Sequence, residues 1–290
     1  MVRNALPKTR RQERSLRQAK PICSQPDLLS IYEQTALKWN HDEPKVVDDL
    51  ISWAQLMSLI QARGHGKVIL DCGCGTGNIC RLASGLAEHV IGIDISKRMV
   101  AEAEKNTPTT SNIVYLRGDM ALLTEFLSPA SVDLCISIFG VCCLPNLHRL
   151  TQAFRQMKQI LRPDGALILQ IPHPLDGFFR QSSSWKQDIN PPKSYFMSGS
   201  FVRRRLRTVD NDWLLVARYH FTISDYITAL AASGFHIVEL IEPHPSDELI
   251  RKCPTIARES SVPSSMIIVA EVSTERSKSF TNLKLNSPSI

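Results

Sequence analysis

The chain has 290 residues, with 34 Lys plus Arg against 28 Asp plus Glu, a net charge of +6. Residues 1–20 hold seven bases (Arg3, Lys8, Arg10, Arg11, Arg14, Arg17, Lys20) and one acid, Glu13, so the other 270 carry 27 of each sign. A neutral body excludes a polyanion-binding surface by composition, and nucleic acid is not the expected partner.

Taken along the chain, residues 1–25 read as a basic, disordered arm with too few apolar side chains to fold alone. No apolar run follows it, so a secretory signal is not expected. Residues 26–272 alternate helical and strand-like patterns and are expected to form one domain. The strands are expected at Lys67–Cys72, Glu88–Asp94, Asn112–Gly118, Val132–Phe139, Ala166–Ile171, Phe235–Ile241 and Met266–Val272. Several are unbroken apolar runs, the pattern of strands covered on both faces. Helical patterns lie near 77–86, 96–106 and 146–161, the last closed by Arg162-Pro163-Asp164-Gly165. Such a β-α series predicts an α/β fold, a parallel sheet with helices on both faces. The final two strands are joined without a convincing helix, so one of them is expected to run antiparallel.

Residues 172–222 interrupt the series with Pro172, Pro174, Pro191 and Pro192 and two strand-like stretches, Phe201–Val209 and Trp213–Phe221. The turn Asp210-Asn211-Asp212 between them suits a hairpin. An insertion after a strand's carboxyl end lies over the ligand crevice of an open α/β sheet, so this segment is expected to form a substrate lid. Residues 273–290 read as a polar tail. The longest apolar stretch, Val132–Leu144, is about half of a membrane span, and no span is expected. Of eight Cys, Cys72-x-Cys74 and Cys142-Cys143 stand too close for an ordinary disulfide framework. The paired Cys-x-x-Cys spacing that zinc prefers is absent. Reduced thiols in a cytoplasmic protein, with no metal, are the expectation.

The segment Val68-Ile69-Leu70-Asp71-Cys72-Gly73-Cys74-Gly75-Thr76-Gly77 carries the chemistry. A buried strand ends in an acid, a glycine-rich turn follows, and a helix starts at Asn78. Glycines let the backbone approach a ligand, and the new helix offers free N–H groups. A dinucleotide fingerprint counted from Gly73 needs Gly at 78, where Asn78 stands. The acid before the turn repels a pyrophosphate but suits a cationic amine, which indicates a ligand with an amino-acid end.

This segment resembles motif I of the class I S-adenosylmethionine-dependent methyltransferases, and the resemblance runs through residues 30–272. Val90-Ile91-Gly92-Ile93-Asp94 is similar to the second strand, whose terminal acid takes the ribose hydroxyls. Arg117-Gly118-Asp119-Met120 is similar to the third-strand end that meets adenine. Leu161-Arg162-Pro163-Asp164-Gly165 is like the family's turn before the fifth strand, with Asp164 replacing a Gly. The resemblance implies a Rossmann-like seven-stranded sheet with its last strand pair antiparallel and a lid after strand 5. It implies S-adenosylmethionine as cofactor, held by Tyr32, Asp71, Gly73, Cys74, Gly75, Gly77, Asn78, Asp94, Ile95, Met99, Asp119, Met120 and Ser137.

Pro172-His173-Pro174, the stretch from Tyr219 to Tyr226, Gly234-Phe235 and Glu242-Pro243 look like segments of the small-molecule group that includes ubiquinone and menaquinone biosynthesis enzymes. Phe221 stands where that group usually has Arg. The implied reaction is transfer of a methyl group to an O, N or C nucleophile of a small-molecule acceptor. The alternatives are an RNA or protein acceptor, or cofactor binding without catalysis. His173 and His220 fall where lid and sheet should meet, and His is the usual proton acceptor near neutral pH, so they are the candidate catalytic bases. In the run Arg203-Arg204-Arg205-Leu206-Arg207 alternate side chains face opposite ways. Arg203 or Arg205 is the candidate for holding an acidic acceptor.

Overall fold

The computed structural model describes residues 26–39, 46, 49–179, 186–190, 193–252, 256 and 262–273; the basic arm and residues 274–290 lie outside them. The amino-terminal part runs α1 (Pro26–Thr35), a 3-10 turn (Ala36–Trp39), α2 (Asp49–Gly64), β1 (Val68–Cys72), α3 (Asn78–Ser84), β2 (His89–Asp94) and α4 (Lys97–Lys105). It continues through β3 (Ile113–Arg117), β4 (Val132–Ile138), α5 (Leu147–Ile160), β5 (Leu161–Pro172) and α6 (Asp176–Phe179). The rest comprises β6 (Lys186–Asn190), β7 (Ser200–Arg207), β8 (Trp213–His220), α7 (Ile223–Ala232), β9 (Phe235–Ile241), α8 (Asp247–Lys252) and β10 (Ser265–Val272).

Seven strands form one sheet in the order β3-β2-β1-β4-β5-β10-β9. The first five pair in parallel, whereas β10 runs antiparallel to both β5 and β9. The expected antiparallel strand is thus the last one. The link between β9 and β10 contains the short helix α8, which the sequence pattern did not signal. Strand β5 also starts earlier than expected: Leu161 pairs with Val132 before an irregularity, and regular pairing resumes at Ala166.

Alternation along the buried strands divides the core into two layers. Ile69, Leu134, Ile136, Ile168 and Val269 pack with Leu56 and Ile60 of α2 and Ile79 and Ala83 of α3. Leu70, Cys135, Leu167, Leu169 and Ile268 face the other way, toward Leu150 and Phe154 of α5 and Tyr226 and Leu230 of α7. The period of two is the reason that unbroken apolar runs fit here: both faces of each central strand are covered. Caps fix the helix starts. Ser96 Oγ accepts from Met99 N at the start of α4. Before α7, Thr222 and Asp225 exchange side-chain and backbone bonds as a capping box.

The insertion expected as a lid contains a three-stranded antiparallel sheet, β6-β7-β8. The expected hairpin is present as β7 and β8, and Asn211 in its turn takes a positive φ of 64°. Strand β6 is an addition that the sequence pattern missed, because its five residues carry no alternation. Residues 180–185 and Pro191-Pro192 of the lid lie outside the described residues.

Candidate active site

Strand β1 lies between β2 and β4; the chain runs outward from β1 through β2 to β3 and then crosses back to β4 on the other side of β1. Ligand crevices of open α/β sheets form at the carboxyl ends beside such a reversal. Two adjoining cavities are found here. The larger, about 250 Å³, is lined by Asp71, Gly73 to Thr76, Asn78, Asp94 to Ser96, Met99 and Gly118 to Met120 from the strand ends. Leu28, Leu29, Tyr32 and Trp39 from the amino-terminal segment, Trp53 of α2 and Phe139 after β4 also face it. The smaller, about 80 Å³, lies against the inner face of β7 and β8. Tyr32, Trp39, Asp49 and Phe139 line both, so the two cavities share a wall.

The local sequence explains the wall. Gly75 has φ of +55°, and a Cβ there would meet nothing within 4 Å, so its backbone lies bare to the cavity. Gly77, at φ +83°, is glycine for another reason: a Cβ would come to 2.2 Å from Tyr115 Oη. Asp94 binds the turn to the next helix, its Oδ2 accepting from Gly75 N at 2.9 Å and its Oδ1 from Ser96 N at 2.8 Å. Asp119 Oδ1 accepts from Ala121 N at 2.8 Å, and its Oδ2 pairs with Arg149. Phe139, in the shared wall, holds a positive φ of 53°, which non-glycine residues rarely adopt. Its carbonyl accepts from Cys142 Sγ at 3.1 Å.

Electrostatics separate the acids. Asp71 is 2% exposed, and burial lifts its carboxyl to about 7, against a bond from Cys80 Sγ that holds it down. Burial also raises Asp94, opposed by the backbone N–H groups of Ser96, Gly75 and Ile95. Tyr32 Oη donates to Ala217 O at 2.9 Å, tying α1 to β8, and burial pushes its hydroxyl far up. Cys142, beside the smaller cavity, is lowered by its bond with Cys143 and by the charge of Arg218.

Of the residues expected from sequence, the structure brings Tyr32, Asp71, Gly73, Cys74, Gly75, Asn78, Asp94, Ile95, Met99, Asp119 and Met120 to the larger cavity. Gly77 and Ser137 are not in its wall; Ser137 Oγ instead donates to Cys72 O at 2.7 Å, joining β4 to β1. His173 and His220 line neither cavity. His173 is 1% exposed; its Nδ1 accepts from Leu175 N at 3.2 Å and its Nε2 therefore donates to Glu242 Oε1 at 2.9 Å. His220 Nε2 donates to Tyr195 O at 2.8 Å, with Phe178 and Tyr195 edge-on to the ring. Burial holds its pKa below the usual value.

The arginine run falls in the opposite phase from the expectation. Arg203 and Arg205 are exposed, and Arg204 is buried and faces the smaller cavity with Arg218. The sequence reading also passed over Trp53, Gln170 and Cys143 in the larger wall. The apolar spacing of α2 was the available signal for Trp53. Among the described residues no group of His, Cys, Asp and Glu could hold a metal ion, and no helix is long and apolar enough to cross a membrane.

Residues 70–169 match the family model described as a methyltransferase domain. The chain is 28% identical over 184 residues to N-demethylindolmycin N-methyltransferase of Streptomyces griseus, covering 62% of this chain and 74% of that one. It is 27% identical over 213 residues to demethylmenaquinone methyltransferase of Staphylococcus carnosus, covering 69% and 82%. An S-adenosylmethionine-dependent methyltransferase structure from Mesorhizobium loti superposes with a TM-score of 0.60 at 26% identity, over 78% of this chain and 99% of that one. Strand-end motifs, sheet order and likeness agree: the chain carries a methyltransferase domain of the class I kind, whose cofactor is S-adenosylmethionine.

Proposed function

We propose that the larger cavity holds S-adenosylmethionine and the smaller one the small molecule that receives its methyl group. The observation that carries this is the wall shared through Tyr32, Trp39, Asp49 and Phe139, which sets the strand-end cavity directly beside the cavity under the insertion. The residues fit the cofactor's parts. Asp71 is a buried acid for the amino group, the bare backbone at Gly75 admits the amino-acid end, and Asp94 is placed for the ribose hydroxyls. Asp119 and Met120 border the adenine end. Gly77 and Ser137 shape this site from behind its wall.

When bound, the cofactor supplies an already activated methyl on its sulfonium. What remains for the protein is to hold the acceptor atom in line and keep water out, and positioning of this kind supplies about 7–11 kcal/mol in well-oriented reactions. Tyr32, Trp39 and Phe139 form an aromatic wall common to the two cavities, suited to both tasks. In this reading His173 and His220 fix the ends of the lid and take no proton from the acceptor. One similar enzyme is named for N-methylation, and another, a malonyl-[acyl-carrier protein] O-methyltransferase from Halalkalibacterium halodurans that aligns over 46% of its length, for O-methylation. These names support an N or O acceptor, and the reading keeps an O, N or C atom of a small metabolite. The six described cysteines are free thiols, which supports work in a reducing, cytoplasmic compartment.

The test is calorimetry with S-adenosylhomocysteine on wild type and Asp94→Asn. Loss of charge-assisted bonds to the ribose, about 1.5–3 kcal/mol, should weaken binding roughly tenfold to a hundredfold. Incubation with S-adenosylmethionine and a host metabolite extract should yield a product heavier by one methylene. Unchanged affinity in Asp94→Asn, or tighter binding of a nicotinamide dinucleotide, would sink the assignment.

A further inference from the structure

The inner face of the lid carries an alternating row. Val202, Arg204 and Leu206 of β7 and Val216 and Arg218 of β8 all line the smaller cavity. The antiparallel register explains it, since Val202 pairs with Arg218 and Arg204 with Val216, and partners share a face. Val46, Phe139 and Pro172 extend the apolar part of the wall. Into this surrounding comes one guanidinium with little to hold it. Arg218 is 14% exposed and approaches Asp176 Oδ2 only to 3.8 Å, beyond hydrogen-bond reach. It makes no hydrogen bond to any described residue. Asp176 Oδ2 is also the acceptor of Arg204 Nη1.

A guanidinium has five N–H donors in a fixed fork, and donors withdrawn from water without acceptors are destabilising. Burial and the neighbouring charge of Arg204 disfavour the cation at Arg218 while Asp176 favours it, and an arriving anion adds to the favourable side. The fork matches two oxygens of one planar group. The nearby Asp176 repels a dianion more than a monoanion, and the cavity is small. Resting on the reading of the two cavities given above, we propose that Arg218 holds the carboxylate of the methyl acceptor, so that the lid selects a monoanionic small molecule with an apolar body.

The experiment screens apolar monocarboxylic acids, each beside its primary amide and matching phosphonate, by thermal shift and ligand-observed NMR. The full chain is used with and without S-adenosylhomocysteine. Some acids should bind at least tenfold more tightly than their amides. Arg218→Gln should abolish that preference, Arg218→Lys should keep part of it, and both should bind S-adenosylhomocysteine within twofold of wild type. The proposal is overturned if no acid exceeds its amide, if phosphonates are preferred, or if Arg218→Gln keeps the preference. The acid-over-amide comparison is read on wild type, so a poorly folding variant does not remove the test. Failure of S-adenosylhomocysteine to bind would instead strike the reading of the larger cavity, while the screen without it still decides Arg218.

Discussion

Asp71, proposed to meet the cofactor's amino group, would serve binding at the expense of stability. Burial lifts its carboxyl from 3.8 to about 7. The stability it contributes is present below the ordinary carboxylate pKa and is lost as pH rises toward 7, where the buried group must ionise. A cationic amine beside it would favour the ionised form, so cofactor binding releases a proton below pH 7. Affinity for S-adenosylmethionine should therefore rise with pH by up to about tenfold per unit below 7 and level off above it. Asp71→Asn should flatten that profile, weaken binding at pH 8 by about tenfold or more, and raise the melting temperature. Calorimetry and melting curves across pH 5.5–8.5 (~3 units around the shifted value) check all three; a pH-dependent profile surviving in Asp71→Asn would place the titrating group elsewhere. The acid at this strand end was legible in the sequence because its place in the turn is local. The two histidines were not legible in the same way. Their sequence neighbours suggested a pocket, yet hydrogen bonds from Leu175 N and to Glu242 and Tyr195, distant in sequence or set by a turn, fix both rings.

At the scale of elements, α1 is the piece that closes the larger cavity. It is held by Tyr32 Oη on Ala217 O of β8 and by Glu33, whose Oε1 accepts from Ser96 Oγ at 2.8 Å at the start of α4. One segment thus spans cofactor sheet and lid. Tyr32→Phe removes the bond to β8 and leaves the Ala217 carbonyl without that donor, costing about 1 kcal/mol. The melting temperature should fall by about 2–4 °C, and exchange of the β8 amides with deuterium should quicken. Unchanged exchange in β8 would show that α1 does not brace the lid. Helix and strand existence was readable from apolar period. The contact between α1 and the lid was not, because nothing in either segment names its partner 185 residues away.

For the whole molecule, the charge surplus and the chemistry occupy different parts of the chain. The +6 resides in residues 1–20, whereas the described cavity walls begin at Leu28. Removing residues 1–20 should leave S-adenosylhomocysteine affinity within about twofold, a change of ~0.4 kcal/mol, as measured by calorimetry. A larger loss would make the arm part of the site. The sequence by itself determined the sheet, its strand-end acids and its bare glycine turn, because each is specified by residues adjacent in the chain. Only the tertiary structure decided that Arg204 and Arg218, not Arg203 or Arg205, face the smaller cavity, and that His173 and His220 lie outside its walls. Which face of a strand looks inward depends on its register and on what the lid packs against. A shift of one residue exchanges the two faces, and that choice is made by contacts between distant segments.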